Sequence, residues 1–334
     1  MLLTRSALVG PSIVSALAPH SSMLVASSDA VLHNIVPSLL GQGIDTHLYV
    51  FMFPVAITVA TCAISAGIGG AAIFAPIFLI VFPLLGEQYV IATPQEAVAT
   101  AILTESFGFA SGLVGYFRRG LVDVKLALPF AALSVPASAF SALFLVDLCS
   151  PAVLKCIYTA LMLSVGYSLL SAKKEKEEEK EEKQGKDDGK EGATSLLTVG
   201  GGLLTGTLGV GIGEIVLPSL LRRGVSVGTA AASSTLVVAL TAWTAAIFQL
   251  TDLARDAGGS LASVIPWSLV IYLIPGVTIG GQLASRLQGR VKQEVLEKAI
   301  GSLFIIIGAA FGAVVAKEGA AFLHTHQLKQ ELLF

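Results

Sequence analysis

Two carboxylates stand inside otherwise apolar stretches of this sequence. Glu105 lies within the run ILTESF, and Glu214 follows a cluster of glycines. An ionised carboxylate is costly in the interior of a lipid bilayer, so such residues usually face a cavity, bind a partner or carry protons. We therefore predict a proton-coupling role for Glu105 and Glu214. The alternative is a neutral acid that is hydrogen-bonded to a neighbouring helix.

Glycine and proline cluster twice within apolar segments, as GIGGAAIFAP at residues 67–76 and GVGIGEIVLP at residues 209–218. Glycine weakens a helix and an interior proline removes a hydrogen bond. In lipid, a broken helix survives only where protein or a water-filled cavity covers it. A break also frees N–H groups at a half-helix N-terminus, where the helix dipole favours anions. The alternative is that small residues let helix backbones pack closely.

Hydroxyl groups occupy matched positions in two further apolar segments. They could bind the oxygens of an oxyanion, or only the carbonyls of their own helix. Together with the glycine and proline positions they form the predicted substrate-lining set: Gly67, Gly69, Gly70, Pro76, Thr100, Thr104, Gly209, Gly211, Gly213, Pro218, Ser233, Ser234 and Thr235.

Other kinds of chemistry have little support in the sequence. The five histidines lie outside the apolar segments, and HExxH, GxSxG and paired intramembrane aspartates do not occur, so we do not predict an enzyme. The three cysteines lack the spacing of a zinc site or a disulfide scaffold. No metal or other cofactor is expected. No basic stripe indicates a nucleic-acid partner.

The composition is that of a membrane protein. Of the 334 residues, 54% are hydrophobic and 13% charged, about half of the roughly 25% usual in soluble domains. Seven lysines and nine acidic residues fall within residues 173–191, so the remainder is poorer still in charge. A soluble fold could not cover itself with so few charges. The expected partners are the lipid bilayer and a small anion; the oligomeric state and the host membrane, plasma or organellar, are not readable.

The chain contains ten apolar segments long enough to be considered as membrane helices or parts of them. We place them at residues 49–66, 68–85, 96–117, 124–146, 151–171, 195–210, 212–222, 227–250, 262–285 and 296–316. The segment 212–222 is too short to span a hydrocarbon core of about 30 Å, and the first pair of each half could cross or re-enter. The predicted fold class is all-α: a polytopic bundle of eight to ten membrane segments, some of them broken or re-entrant.

An internal repeat relates the two hydrophobic halves. The glycine–proline clusters align without gaps, residues 97–103 match residues 230–236, and Pro136 corresponds to Pro275. The order of these matches indicates duplication.

Basic residues indicate how the two halves are oriented. Arg118 and Arg119 mark the loop after the third segment of the first half as cytoplasmic, whereas Arg222 and Arg223 mark the loop before the third segment of the second half. Corresponding loops then lie on opposite sides of the membrane, as in inverted-topology repeats.

The predicted organisation has five parts. Residues 46–171 and 195–318 form the membrane repeats, 172–194 a charged cytoplasmic linker, and 319–334 a C-terminal tail. Residues 1–45 form an N-terminal extension, for which two interpretations stay open. It is either a cleavable targeting segment, because it is poor in acidic residues and contains an apolar stretch, or an ordinary extramembrane or interfacial N-terminus.

These motifs resemble the sulfite exporter TauE/SafE family, also called the toluene sulfonate uptake permease family. The resemblance is carried by both glycine–proline clusters, by residues 97–100 and by the run GYFRRG at residues 115–120, and it covers roughly residues 50–320. It implies transport of sulfur-containing anions or related organic acids, coupled to protons. Glu214, where family members more often carry a small residue, and the long charged insert depart from the family pattern.

We therefore expect a proton-coupled secondary transporter of small anions, most readily sulfur oxyanions or organosulfonates such as sulfite, thiosulfate and sulfoacetate. Alternating access would come from one half rocking against the other. The alternatives are a transporter of other small organic acids, a membrane scaffold or trafficking factor without transport, and a passive channel.

Overall fold

The computed structural model describes residues 46–148, 151–178, 188–259, 261–288 and 293–331. Ten main helices carry the fold of these residues, and no strand occurs among them. The helices are Met52–Ala66 (α1), Ala71–Leu85 (α2), Pro94–Arg118 (α3), Val124–Leu145 (α4), Pro151–Glu178 (α5), Asp188–Leu208 (α6), Ile212–Arg222 (α7), Val227–Asp256 (α8), Trp267–Leu287 (α9) and Gln293–Glu331 (α10). Shorter helical turns occupy Thr46–Tyr49, Glu87–Tyr89 and Leu261–Val264.

The described helices confirm a multi-pass membrane fold. Five stretches are long and apolar enough to cross a bilayer: Pro94–Arg118, Val124–Leu145, Val227–Asp256, Trp267–Leu287 and Lys298–Lys317. Helices α1 and α2 are apolar but shorter. Helix α7, with 11 residues, is about 16 Å long at about 1.5 Å per residue, which confirms that it cannot span the bilayer alone.

The third helix of each half begins at a side-chain cap. At the start of α3 the Thr93 hydroxyl accepts the Glu96 amide at 3.1 Å, with Pro94 in the first turn. At the start of α8 the Ser226 hydroxyl accepts the Thr229 amide at 3.3 Å. These caps satisfy amides that a helix leaves free at its N-terminus. The long central helices therefore start where the sequence supplies a hydroxyl.

Each half packs its helices on those of the other half, and matching helices make matching contacts. Helix α1 packs on α9 of the second half, and its counterpart α6 packs on α4 of the first half. Helix α3 likewise packs on α9, and its counterpart α8 packs on α4. The counterparts α3 and α8 contact each other, as do α5 and α10. The first and third helices of each predicted half therefore pack on the fourth helix of the other half.

Helices α3 and α8 run antiparallel. Beyond the end of α3, the Asp123 amide donates to the Ser233 hydroxyl near the start of α8 at 3.0 Å. At the other end, Glu96 from the start of α3 lines the same cavity of about 420 Å³ as Asp256 from the end of α8. Two corresponding helices of the repeat therefore have opposite directions.

Small residues bring the halves together. A Cβ atom on Gly276 of α9 would lie 2.7 Å from the Cβ atom of Ala56 in α1, and one on Gly280 would lie 2.6 Å from the carbonyl oxygen of Ile57. A Cβ atom on Gly202 of α6 would lie 2.7 Å from the carbonyl oxygen of Ser134 in α4. Close packing over small residues is a common way for membrane helices to associate, and these glycines serve it.

The segments outside the repeats are described only in part. Residues 1–45, the predicted N-terminal extension, lie outside the described residues. Within the predicted linker, α5 continues to Glu178 and α6 begins at Asp188. Helix α10 continues to Glu331, through much of the predicted C-terminal tail.

Candidate functional site

The first glycine cluster breaks a helix. Helix α1 ends at Ala66 and is followed by Gly67, whose φ of +67° is left-handed, a conformation that glycine adopts without a Cβ penalty. The amides of Gly67 and Ile68 turn back to the carbonyls of Ile64 and Ala63, at 3.1 and 3.0 Å. Helix α2 then begins at Ala71. The break predicted from the glycines is therefore present and sits among buried residues.

The second glycine cluster breaks the chain between α6 and α7. Gly209 has a φ of +76° and Gly211 a φ of +132°, after which α7 begins at Ile212. The Thr205 hydroxyl accepts the Ile212 amide at 3.1 Å and donates to its own helix at the Gly201 carbonyl. One hydroxyl on α6 thus caps the helix that follows the break.

The prolines of the two clusters do not form the breaks. Pro76 is buried within α2, and the π-helical turn Ile77–Val81 follows it directly. Proline lacks the N–H that an α-helix needs, which accounts for a local change in hydrogen bonding at this point. Pro218 lies within α7 and its side chain is exposed. The glycines therefore set the interruptions, and Pro218 lies away from the second break.

The two breaks are in direct contact with each other. A Cβ atom on Gly69 would lie 3.1 Å from the carbonyl oxygen of Gly209, and one on Gly213 would lie 2.6 Å from the carbonyl oxygen of Gly67. In each break, a backbone carbonyl oxygen is therefore in close contact with a glycine of the other break. The two breaks are therefore packed backbone against backbone at these two glycines.

Glu105 of α3 binds the start of α2. Its carboxylate accepts the Gly70 amide at Oε1 and the Ala71 amide at Oε2, each at 3.0 Å, and the residue is 2% exposed. Both oxygens therefore take the free amides of a half-helix N-terminus, the place where helices bind free anions. The protein's own carboxylate occupies the amides that we predicted for a substrate.

Glu214 lies at the second break and close to the first. Its Oε2 accepts the Gly211 amide at 3.0 Å, while its Oε1 is buried and has no hydrogen-bond partner among the described residues. The Gly69 amide of the first break is near enough to act electrostatically on this carboxylate. Glu105 and Glu214 are near enough for their charges to repel. The site therefore holds two carboxyl groups around three successive amides.

The repeat does not duplicate the carboxylates. The alignment that pairs residues 97–103 with 230–236 places Val238 at the position of Glu105, and Val238 packs 3.2 Å from the Cβ position of Gly213. The cluster alignment places Ala72 at the position of Glu214. Each half thus contributes one carboxylate, from α3 in the first half and from α7 in the second. The carboxylates are therefore not related by the predicted repeat.

The predicted hydroxyl residues have different surroundings. Thr104 and Thr235 donate to the carbonyls of Thr100 and Ala231 in their own helices, at 2.7 and 2.8 Å. Ser233 accepts the Asp123 amide. The Ser234 hydroxyl is buried without a hydrogen-bond partner among the described residues. Of this set, Ser234 has its hydroxyl free for another group.

Three residues at the breaks were not among those predicted from the sequence. The Tyr158 hydroxyl of α5 donates to the Ala71 carbonyl at 3.0 Å, and Thr205 caps α7. The Ser65 hydroxyl, two residues before Gly67, is buried and unpartnered among the described residues. A buried tyrosine usually needs a partner for its hydroxyl, so Tyr158 within an apolar segment was the detectable signal. Nothing in the sequence distinguished Thr205 and Ser65 from other hydroxyl residues.

Comparisons with known proteins agree with this architecture. The family description "Sulfite exporter TauE/SafE" matches residues 52–311 of the chain. A curated relative, the "Probable membrane transporter protein YunE" of Bacillus subtilis (strain 168), is 21% identical over 273 residues, which cover 78% of this chain and 96% of that protein. No solved structure matches significantly. The family match spans both halves and both breaks, and the chain therefore belongs to the sulfite exporter TauE/SafE family of membrane transporters.

Proposed function

We propose that this protein is a proton-coupled secondary transporter of small oxyanions, with sulfur-containing anions such as sulfite, thiosulfate and sulfoacetate as its substrate class. One observation carries the proposal: two broken helices, one from each half, meet in the buried core with Glu105 and Glu214 at their amides. Peptide amides at a helix N-terminus bind oxyanions, and buried carboxyl groups in membrane proteins commonly carry protons. Membership of the family supports the substrate class.

The packing of the halves supports alternating access. The exchanged helix pairs and the antiparallel α3 and α8 are what inverted repeats require. In this proposal the contact between Gly69 and Gly209 opens when one half rocks against the other. The anion then binds the amides of the first break. The Ser234 hydroxyl, which has no hydrogen-bond partner among the described residues, is a further group that it could contact.

A second substrate class follows from the same geometry. The group that occupies the Gly70 and Ala71 amides is a carboxylate, so these amides fit a small organic acid as well as a sulfonate. Both groups are oxyanions that offer two oxygens on one central atom. Selection between them therefore has to be measured directly.

Uptake into proteoliposomes tests the proposal. Purified protein is reconstituted, and accumulation of labelled sulfite, thiosulfate, sulfoacetate, methanesulfonate and acetate is followed with an imposed pH gradient and after its collapse by a protonophore. We expect saturable accumulation that requires the gradient. Flux without saturation or gradient dependence would identify a channel, and no flux of any of these anions would favour a scaffold without transport.

A pair of variants tests the coupling carboxylate. We expect Glu105→Gln to lose gradient-driven accumulation and to retain detectable anion exchange, because glutamine keeps the shape of the side chain and cannot carry the proton. Glu87→Gln, at an exposed position outside the helix core, is the matched control and should accumulate anion as the parent does. Equal gradient-driven rates in Glu105→Gln and the parent would remove Glu105 from the coupling step.

A further inference from the structure

We propose, on the basis of the transport function above, that the Glu105 carboxylate is an internal competitor of the transported anion: both use the amides of Gly70 and Ala71, so the anion binds only after Glu105 has taken up a proton and left them. The site then holds either the side chain or the substrate. A monovalent oxyanion would replace a carboxylate of the same charge, and one proton would travel with each anion.

The hydrogen bonds define what can take the place of Glu105. One carboxylate oxygen faces the Gly70 amide and the other faces the Ala71 amide, both at 3.0 Å. Sulfonate, sulfite and carboxylate groups all present two oxygens on one atom and can satisfy both donors. A halide is a single centre and lacks this arrangement. The inference therefore specifies a two-oxygen headgroup as the recognised feature.

Glu105 is placed so that it can leave. It belongs to α3, whereas the amides that it binds belong to the start of α2, so rotation of the side chain releases them without unwinding either helix. Glu214 differs, because it binds the Gly211 amide at the start of its own helix, α7. A carboxylate that caps its own helix serves local structure. A carboxylate from another helix can exchange with a solute.

The surroundings favour release on protonation. The titratable groups that act on Glu105 include Glu214 of α7 and Tyr158 of α5. The two amide hydrogen bonds hold the charged form, and a protonated carboxyl group accepts them less strongly. Protonation thus weakens the two hydrogen bonds that hold Glu105 at these amides.

Two further polar atoms lie on residues beside the breaks. Glu214 Oε1, at the second break, and the hydroxyl of Ser65, two residues before Gly67, are buried atoms without a hydrogen-bond partner among the described residues. Buried polar atoms nearly always have partners. A bound oxyanion would supply an acceptor to the Ser65 hydroxyl and to a protonated Glu214. The Gly70 and Ala71 amides are therefore not the only polar groups beside the breaks that suit an anion.

The pH dependence of binding tests the competition. Methanesulfonate is the probe, because it stays a monoanion throughout the experiment and any pH dependence then belongs to the protein. Its dissociation constant is measured from ligand-induced thermal stabilisation of purified protein at several pH values, with chloride at equal ionic strength as the reference. For the parent and for Glu87→Gln we expect affinity to fall about tenfold for each pH unit above the range in which Glu105 is protonated.

Two substitutions separate competition from a structural role. Glu105→Ala and Glu105→Gln should bind methanesulfonate with little pH dependence, and the alanine variant should bind more tightly at alkaline pH, because the glutamine carbonyl still accepts one amide. If Glu105→Ala does not purify as a folded protein, the slope of Glu105→Gln decides. A parent-like slope in the folded variant would overturn the competition while leaving transport intact. Absence of anion binding and transport in the parent would overturn both proposals.

Discussion

The carbonyl oxygen of Gly67 lies 2.6 Å from the position that a Cβ atom on Gly213 would occupy. The contact joins the end of α1 to the first turn of α7, and so joins the two halves of the repeat at their breaks. Because the atom that would clash is part of the backbone, it cannot turn aside as a flexible side chain would. This pair therefore offers a direct test of the packing between the breaks.

We expect Gly213→Ala to destabilise the protein by about 1–3 kcal/mol, the usual cost of overpacking a buried site. Apparent melting temperature in detergent is the measurement. Gly200→Ala in α6 is the matched control, because its Cβ atom would meet nothing within 4 Å and alanine favours the helix. A melting temperature of Gly213→Ala equal to that of the parent would contradict the contact between the breaks.

The cap from α6 to α7 makes a second prediction. Thr205→Val leaves the buried Ile212 amide without its acceptor at 3.1 Å, and we expect a loss of about 1–2 kcal/mol. Thr205→Ser keeps the oxygen and should recover most of the lost stability. Thr207→Val is the control, since the Thr207 hydroxyl bonds only to carbonyls of its own helix. Equal melting temperatures for Thr205→Val and Thr207→Val would show that the cap does not stabilise the protein.

Tyr158 makes a third prediction. Tyr158→Phe removes the hydrogen bond to the Ala71 carbonyl at 3.0 Å, which should lower the free energy of unfolding by about 0.5–1.5 kcal/mol. Tyr167→Phe on the same helix is the control, because Tyr167 is 71% exposed. Thermal melts of the two variants, measured side by side, check the difference. An identical melting temperature for both would mean that the buried hydroxyl adds nothing.

The contact between α4 and α8 allows a fourth test. The hydroxyls of Ser134 and Thr241 are 2.9 Å apart and buried. A double-mutant cycle with Ser134→Ala and Thr241→Val should give a coupling free energy of about 0.6 kcal/mol, typical of hydrogen bonds between membrane helices. Equilibrium unfolding in mixed detergent supplies the free energies. Strict additivity of the two substitutions would show that the hydroxyls do not interact.

The sequence predicted much of the fold because lipid constrains composition strongly. Five stretches had to be long and apolar to satisfy a bilayer, and the short segment 212–222 was recognisable by length alone. The glycine clusters predicted breaks at the right places. Glycine has no Cβ atom and therefore adopts the left-handed backbone conformation that Gly67 and Gly209 have. Pro76 and Pro218 were weaker indicators, because a proline can sit inside a helix that changes its hydrogen bonding locally.

The partners of the buried polar groups could not be predicted. Glu105 was recognisable as a carboxylate in an apolar segment, but its bonds to Gly70 and Ala71 join groups that are far apart in sequence. The fates of the hydroxyls also depended on packing: Thr104 turned to its own helix, whereas Ser234 has no partner among the described residues. Residue type determines which hydrogen bonds a buried polar side chain can make, and the residues packed around it determine which of them form.

By itself, the sequence determined that this protein lies in a membrane and that glycine-rich breaks interrupt two of its apolar stretches. It also predicted that the two apolar halves are related. Those features follow from local composition and spacing. Only the tertiary structure decided that the two breaks press against each other, and that a carboxylate from α3 holds the amides at the start of α2. Such contacts form only when helices that are far apart in sequence pack together, so they depend on residues throughout the chain and not on the local sequence.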